Sequence, residues 1–401
     1  MEKVLAINSG SSSFKYKLFS LPDEKVIAKG MADRVGLDDA SFEIKMADGT
    51  KHVEKTEIPD QEAAVSLLLK FLKQFNVVED LNEIVGVGHR VVNGGEFFKD
   101  STIITKENLH EIYELEDYAP LHNPAEGRGI EAFMNVLPNV PQVAVFDTTY
   151  HRALDPVHYL YSLPYEYYEK YGVRKYGAHG TSHQFVAEKG AKFCGLDVNN
   201  SKIITCHIGN GSSITAIVNG KSVDTSMGFT PLDGLIMGTR CGSVDPNVIP
   251  YLMKKENLSC DEMTEIMNKK SGFLGITGVS SDARDLDDLA NSGDPKAKLA
   301  LKMLTYGVIK YIGSYVAVMN GVDLIVFTGG IGEHNSRLRR RVCENFSYLG
   351  LKFDYEANVA WGEDTIISLP DSKVKVALIT TDEEIVIARD TMHIVMSEEE
   401  N

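Results

Sequence analysis

The sequence predicts an α/β protein built as two related domains. Three observations carry that reading. Short apolar strands alternate with amphipathic helical stretches, the order that builds a largely parallel sheet covered by helices. The 401 residues suffice for two domains with large apolar cores. One unusual feature also occurs twice: a glycine-serine turn between two strands, at Gly10-Ser11-Ser12 and, half a chain further on, at Gly211-Ser212-Ser213.

The elements follow in order. Residues 4–7, 14–19 and 26–31 alternate in hydropathy and favour β-structure, and 42–44 and 53–58 extend the sheet. Residues 61–75 show helical spacing, with Ala64, Leu67, Leu68 and Phe71 on one face. Residues 84–87 read as a short buried strand. A helix over 124–136 begins with Pro124, whose fixed φ and missing N–H suit a first turn. Residues 143–146 form another buried strand, ending at Asp147. The second half opens as the first does. Residues 202–228 read as strand, glycine-serine turn, strand, tight turn, strand, with Asn219-Gly220 marking a type I′ hairpin. The matching strands favour a duplication over chance recurrence of a common tripeptide.

Bulk properties narrow the function. The net charge of −16 argues against nonspecific nucleic-acid binding. An acidic protein that handles an anion must concentrate positive charge locally, which singles out arginines among glycines. The five cysteines, at 194, 206, 241, 260 and 343, are odd in number and show no CxxC spacing, so a reducing cytoplasm is expected. Met1 runs straight into a strand with no signal-peptide pattern. The apolar stretch 299–322 contains Lys302, Lys310 and Asn320 and reads as a buried helix rather than a membrane span. The closing "SEEEN" reads as a solvated tail.

Several motifs carry chemistry. Glycine-exposed N–H groups and serine hydroxyls suit a turn that holds phosphate oxygens, and Asn8, Ser12 and Lys15 surround the first such turn. No Walker A motif is present, since "VNGKS" at 218–222 lies in a hairpin, and no GxGxxG opens a helix after a strand, as a nicotinamide site would need. In "FTGGIGEH" at 327–334 a buried strand runs into glycines that let a backbone approach a flat ring or a phosphate. A bare strand–helix turn is the plain alternative. "GFTPLDGLIMGTRCGSVDP" at 228–246 spends four glycines and two prolines around Arg240, and "GHRVVNGG" at 88–95 ends a strand on Arg90. One such arginine is ordinarily a surface ion pair. Two, one in each half, suggest an anion clamp.

His179, in "YGAHGTSH", reads as a donor to an oxyanion, His183 as a packing residue, and His122, in "PLHNP", as the cap of the following helix or a site residue. Asp147 and Glu383, each following a strand, are placed as carboxylates that anchor Mg2+ usually are.

Taken together, "VLAINSGSSSFK", "HGTSH", "HIGNGSS", "MGFTPLDGLIMGTRCGSVDP", "SSDARDL" and "FTGGIGE" closely resemble, in order and spacing, the signatures of the acetate kinase (acetokinase) family of the acetate and sugar kinase, Hsp70 and actin superfamily. The likeness covers essentially the whole chain. It implies an α/β fold of duplicated RNase H-like (actin-like ATPase) domains with an interdomain nucleotide cleft. The first domain would span 1–150 with 385–401, on the acyl side, and the second 151–384, on the nucleotide side. It implies reversible phosphoryl transfer from ATP to acetate, giving acetyl phosphate and ADP, with Mg2+, or Mn2+ in its place. It also implies a cytoplasmic homodimer that takes neither nucleic acid nor membrane as partner.

Matched residue by residue, the resemblance makes Arg90, His122, Asp147, His179 and Arg240 catalytic, the last histidine and arginine stabilising the transition state. Asn8 and Glu383 would serve the metal. Arg90, Val92, Leu121 and Pro231 would hold acetate. Ser12, Lys15, His207, Ile208, Gly209, Asn210, Gly211, Asp282, Ala283, Arg284, Gly329, Gly330, Ile331, Gly332 and His334 would hold the nucleotide.

Two positions depart from the family pattern. Ala178 stands where a Phe commonly precedes the motif histidine, which enlarges the expected acyl pocket and favours tolerance of propionate. His334 stands where an Asn usually follows "GGIGE", near the expected adenine. The alternatives are a propionate or butyrate kinase of the same superfamily, and a non-acyl actin-like ATPase.

Overall fold

The computed structural model describes residues 2–10, 12–120 and 122–399. The chain divides into two compact units, one of Met1–Thr149 with Asp382–Asn401, the other of Tyr150–Thr381.

The first unit holds an eight-stranded sheet. Its strands are β1 (Lys3–Ser9), β2 (Ser13–Ser20), β3 (Lys25–Asp33), β4 (Ser41–Met46), β5 (Lys51–Lys55), β6 (Ile84–Val91), β7 (Thr102–Ile104) and β8 (Gln142–Phe146). Their order is β5-β4-β3-β2-β1-β6-β8-β7. β1 to β5 form an antiparallel meander, and β1, β6 and β8 run parallel. Burial explains the sequence of each strand. Val4–Ile7 are apolar without a break and wholly buried, as a central strand covered on both faces requires. β5 is the charged stretch KHVEK at the sheet edge, where charge blocks further pairing. It ends at Lys55, short of the strand expected over 53–58, because Pro59 and the cap residue Asp60 already set up the next helix.

That helix, α1 (Gln61–Gln74), and α2 (Asn123–Val136) cover one face. Leu68, Phe71 and Phe133 pack there on Phe14, Tyr16, Leu18 and Phe42. On the other face the carboxyl-terminal helix Glu383–Glu399 lies so close to β6 that a methyl placed on Gly88 would fall 2.1 Å from Thr391 Oγ1.

The second unit repeats the plan. Its strands are β9 (Lys202–Ile208), β10 (Ser212–Val218), β11 (Lys221–Thr225), β12 (Leu324–Thr328), β13 (Thr365–Ile366) and β14 (Lys375–Leu378), ordered β11-β10-β9-β12-β14-β13. As in the first sheet, an antiparallel meander leads into parallel strands and an antiparallel edge strand. Asn219 and Gly220 both have positive φ, as the type I′ turn demands. The two glycine-serine turns are alike in place but not in pairing. Gly10 N–H reaches the Ser13 carbonyl, whereas Gly209 N–H reaches that of Gly211. The Gly10–Gly211 alignment is therefore a motif match rather than a geometric one.

Helices of this unit that matter below are α3 (Gly180–Phe193), α4 (Ala283–Asn291), α5 (Pro295–Val318), α6 (Gly329–His334) and α7 (Ser336–Cys343). α5 starts at Asp294, whose side chain accepts from Ala297 N–H, with Pro295 next. It buries Leu304, Val308 and Ile312 but leaves Leu299 and Tyr306 exposed, so the helix expected over 299–322 is buried on one face only. Among the described residues no helix is long and apolar enough to cross a membrane.

Candidate active site

In the first unit the candidate residues gather at the carboxyl ends of parallel neighbours, the usual ligand position of such sheets. Asn8 is the second-last residue of β1 and Arg90 that of β6, and Asp147 directly follows β8. The register sets Val91 opposite Phe146, which brings Arg90 and Asp147 together. The guanidinium grips the carboxylate at two points, Nε to Oδ1 at 3.1 Å and Nη2 to Oδ2 at 2.6 Å. Glu383 Oε2 lies 3.7 Å from the same Nε. Glu383 follows β14, as expected, and opens the carboxyl-terminal helix. The intervening residues 379–382 carry the chain from β14 into that helix.

A third carboxyl joins them. Glu126 on α2 is 2% exposed, and its Oε2 accepts the Val92 N–H at 2.9 Å. Burial pushes Glu126 up to about 8 against the pull of that N–H and of Arg90. Burial likewise raises Glu383, with Arg90 opposing and Asp147 adding to the rise. Burial would lower Arg90, but Asp147 and then Glu383 outweigh it and hold the guanidinium charged.

Among the described residues no three His, Cys, Asp or Glu side chains form a ready metal cage. Asp147 and Glu383 nevertheless supply hard anionic oxygens beside one another, with the Asn8 strand end adjacent. A Mg2+-like ion takes one or two carboxylates and fills its shell with water and phosphate oxygens. The residues present fit such an ion.

In the second unit Arg240 sits in the loop 226–247, which has no regular element yet is pinned throughout. Gly238 N–H reaches Asn210 O, Ser271 N–H reaches Thr239 O, and Arg240 Nη1 donates to the Pro231 carbonyl at 2.9 Å. His179 occupies the cap position of α3 with a left-handed backbone, φ 57°, uncommon for a residue with a side chain and concentrated at functional sites. Its ring stacks on His207 with centroids 4.2 Å apart. His179 and Arg240 aim at one spot: a methyl placed on Gly211 would lie 3.4 Å from His179 Nε2 and 3.7 Å from Arg240 Nη2. Only glycine leaves that space for a ligand.

Beside it opens a pocket of about 890 Å3, of the size that holds a nucleotide-sized ligand. Gly209, Asn210, Asp282, Ala283, Arg284, Gly330, Ile331 and His334 all line it. Ile208 and Gly332 lie behind this wall, and Gly329 takes positive φ against Ile208. His334 Nδ1 donates to the Gly330 carbonyl at 2.8 Å, and its ring lies 4.9 Å from that of Trp361.

Of the remaining expected residues, Lys15 is exposed opposite Asn8 in register, and Ser12 O accepts from Val35 N–H. Val92 is buried in the first unit. His122 holds the cap position of α2 without a side-chain cap bond. Leu121 lies outside the described residues. Ala178 packs in a small buried cluster with Met227 and Met237.

Sequence reasoning passed over Glu126 and Trp361. Glu126 reads as an ordinary first-turn acid, whereas the chain's single tryptophan was the available signal for the second.

Comparison with known proteins gives the chain a family. A sequence profile of the Acetokinase family matches residues 3–389. An acetate kinase of Bacillus cereus is 52% identical over 394 residues, covering 98% of this chain and 99% of that relative. A crystal structure of Porphyromonas gingivalis acetate kinase superposes with a TM-score of 0.92 at 45% identity, over 98% of this chain and 100% of that one. A propionate kinase from Francisella tularensis gives 0.91 at 39% identity with the same coverage.

Proposed function

Because the chain belongs to the acetokinase family and is thereby a kinase, we infer that it transfers the terminal phosphoryl group of ATP to acetate, giving acetyl phosphate and ADP, and catalyses the reverse. The observation that carries the mechanism is the convergence of His179 and Arg240 on the space over Gly211, next to the pocket.

An acetate carboxylate is ionised at neutral pH, so no base has to activate it. Its oxygen forms the new bond to the γ-phosphorus while the bridging P–O bond breaks and leaves its electron pair on ADP. What remains is positioning, and repulsion between an anion and a polyanion. Arg90 is suited to orient the acetate carboxylate, and Val92, Leu121 and Pro231 are assigned to its methyl on the family match alone. His179 and Arg240 are suited to donate to the equatorial oxygens of the group in flight. Asn210, Asp282, Arg284, Gly330 and Ile331, with the other residues matched to the nucleotide set, are proposed to hold ATP. Mg2+ would be held by Asp147 and Glu383 with Asn8, and when bound it offsets phosphate charge. His122 is retained in the catalytic set on the family match alone.

The test is an ATP-dependent hydroxamate assay for acyl phosphate across acetate, propionate and butyrate. Activity on acetate supports the reading. ATP hydrolysis that ignores every acid would sink it. Propionate deserves its place because a propionate kinase superposes so well. A homodimer is part of the proposal, supported by the exposed apolar side chains Val157, Leu163, Tyr165 and Tyr171 within one stretch of fifteen residues. So is the cytoplasm, supported by five free cysteines.

A further inference from the structure

A buried chain of hydroxyl and imidazole groups lies behind His179. Thr205 on β9, Ser213 on β10 and His183 on α3 are all completely buried. Ser213 Oγ lies 2.8 Å from His179 Nδ1 and 2.7 Å from His183 Nε2. His183 Nδ1 lies 2.7 Å from Thr205 Oγ1. Among the described residues neither hydroxyl oxygen meets a further hydrogen-bond partner.

Counting protons orders this chain. Each hydroxyl carries one proton and each neutral imidazole one N–H. Burial keeps His183 neutral, well below the usual histidine range, and nearby His151 and His207 reinforce it. Suppose Ser213 gave its proton to His183. His183 would then give its own to Thr205, and the Thr205 proton would be stranded in the core. Suppose instead that Ser213 accepted from both rings. Its own proton would be the stranded one. A buried donor with no acceptor is strongly disfavoured. One order strands nothing: Thr205 donates to His183 Nδ1, His183 Nε2–H donates to Ser213, and Ser213 donates to His179 Nδ1.

We propose that Thr205, His183 and Ser213 form a one-way hydrogen-bond relay that fixes His179 as the tautomer with its proton on Nε2. That edge of the ring faces the space over Gly211 toward which Arg240 also points. The imidazole thus presents a donor to the phosphoryl oxygens before any substrate arrives, and the stacked His207 holds the ring plane. The three relay members touch no reacting atom. They are positioning residues that act through His179. The proposal rests on the reading of His179 as a phosphoryl donor, and its test separates the two.

The test uses the full chain labelled with 15N-histidine and long-range proton–nitrogen spectra. His179 is assigned by the signals lost in His179→Gln. In the parent, His179 Nδ1 is expected as the bare nitrogen and Nε2 as the protonated one. In Ser213→Ala that single pattern gives way to a mixture, and kcat falls by about ten-fold with KM for ATP little changed, the scale of one well-placed hydrogen bond. Ser213→Thr, which keeps the hydroxyl, restores both. A parent spectrum with the proton on Nδ1 overturns the relay, and so does a Ser213→Ala protein that retains the parent pattern and turnover. Should Ser213→Ala not fold, the parent spectrum decides alone. Full activity in His179→Gln removes the phosphoryl-donor role and leaves the tautomer result standing.

Discussion

Arg240 is expected to carry the largest single share of the rate. Its guanidinium donates to the Pro231 carbonyl and sits on a loop tied down on both sides, so its direction is set in advance. Removing one such donor costs ~10²–10³ in kcat. Arg240→Ala should show that loss in the hydroxamate assay with an unchanged circular dichroism spectrum. Near-normal turnover would count against the assignment. Ala178 gives a second expectation. Its methyl is buried against Met227 and Met237, so it borders packed methionine rather than open space. A phenylalanine there overfills the site at a cost of about 1–3 kcal/mol, eased by the flexibility of methionine. The variant should melt earlier, and its ratio of kcat/KM for propionate over acetate should fall. An unchanged ratio would detach Ala178 from acyl selection.

The pocket wall depends on a side chain that looks unremarkable in sequence. Arg339, in α7, is fully buried. It donates to Asn358 Oδ1 and to the carbonyls of Gly332, Glu333, Asn358 and Ala360. These bonds tie the end of α6, with His334, to the segment that carries Trp361. Lysine cannot reproduce the planar fork, and each buried carbonyl left unmet costs about 1–3 kcal/mol. Arg339→Lys should lower the urea midpoint and raise KM for ATP several-fold while kcat holds. A fall in kcat at constant KM would contradict this role. Within "RLRRRV" nothing local separates Arg339 from the exposed Arg340, since burial is decided by a loop twenty residues away. Glu126 was hidden for the same reason. Residues whose local setting was peculiar, such as Arg90 and Arg240 among glycines, were legible. So were the central strands, because a strand buried on both faces has to be apolar throughout.

Stability across pH adds up these buried groups. Burial lowers His89 to about 4, so the unfolded chain takes the proton first and stability is lost as pH falls from about 6.5 toward 4. Glu126 works in the opposite sense. Its raised pKa favours the folded form below the ordinary value of 4.5, and that advantage disappears as pH climbs to about 8. Between pH 6.5 and 8 the glutamate effect stands without the histidine, joined up to about pH 7 by the likewise raised Glu383, at up to about 1.4 kcal/mol per pH unit for each group. Urea midpoints of the ligand-free protein should decline over that interval, and Glu126→Gln should flatten the decline. A parent midpoint that rises there would show Glu126 to be ionised when folded.

The solitary tryptophan has a practical corollary. Trp361 is 68% exposed on the pocket wall, and the chain has no other indole. Its fluorescence therefore comes from a single address. Titrating ADP should quench or shift that emission to a saturating plateau. Occupancy could then be read optically, without label, coupling enzyme or acyl substrate.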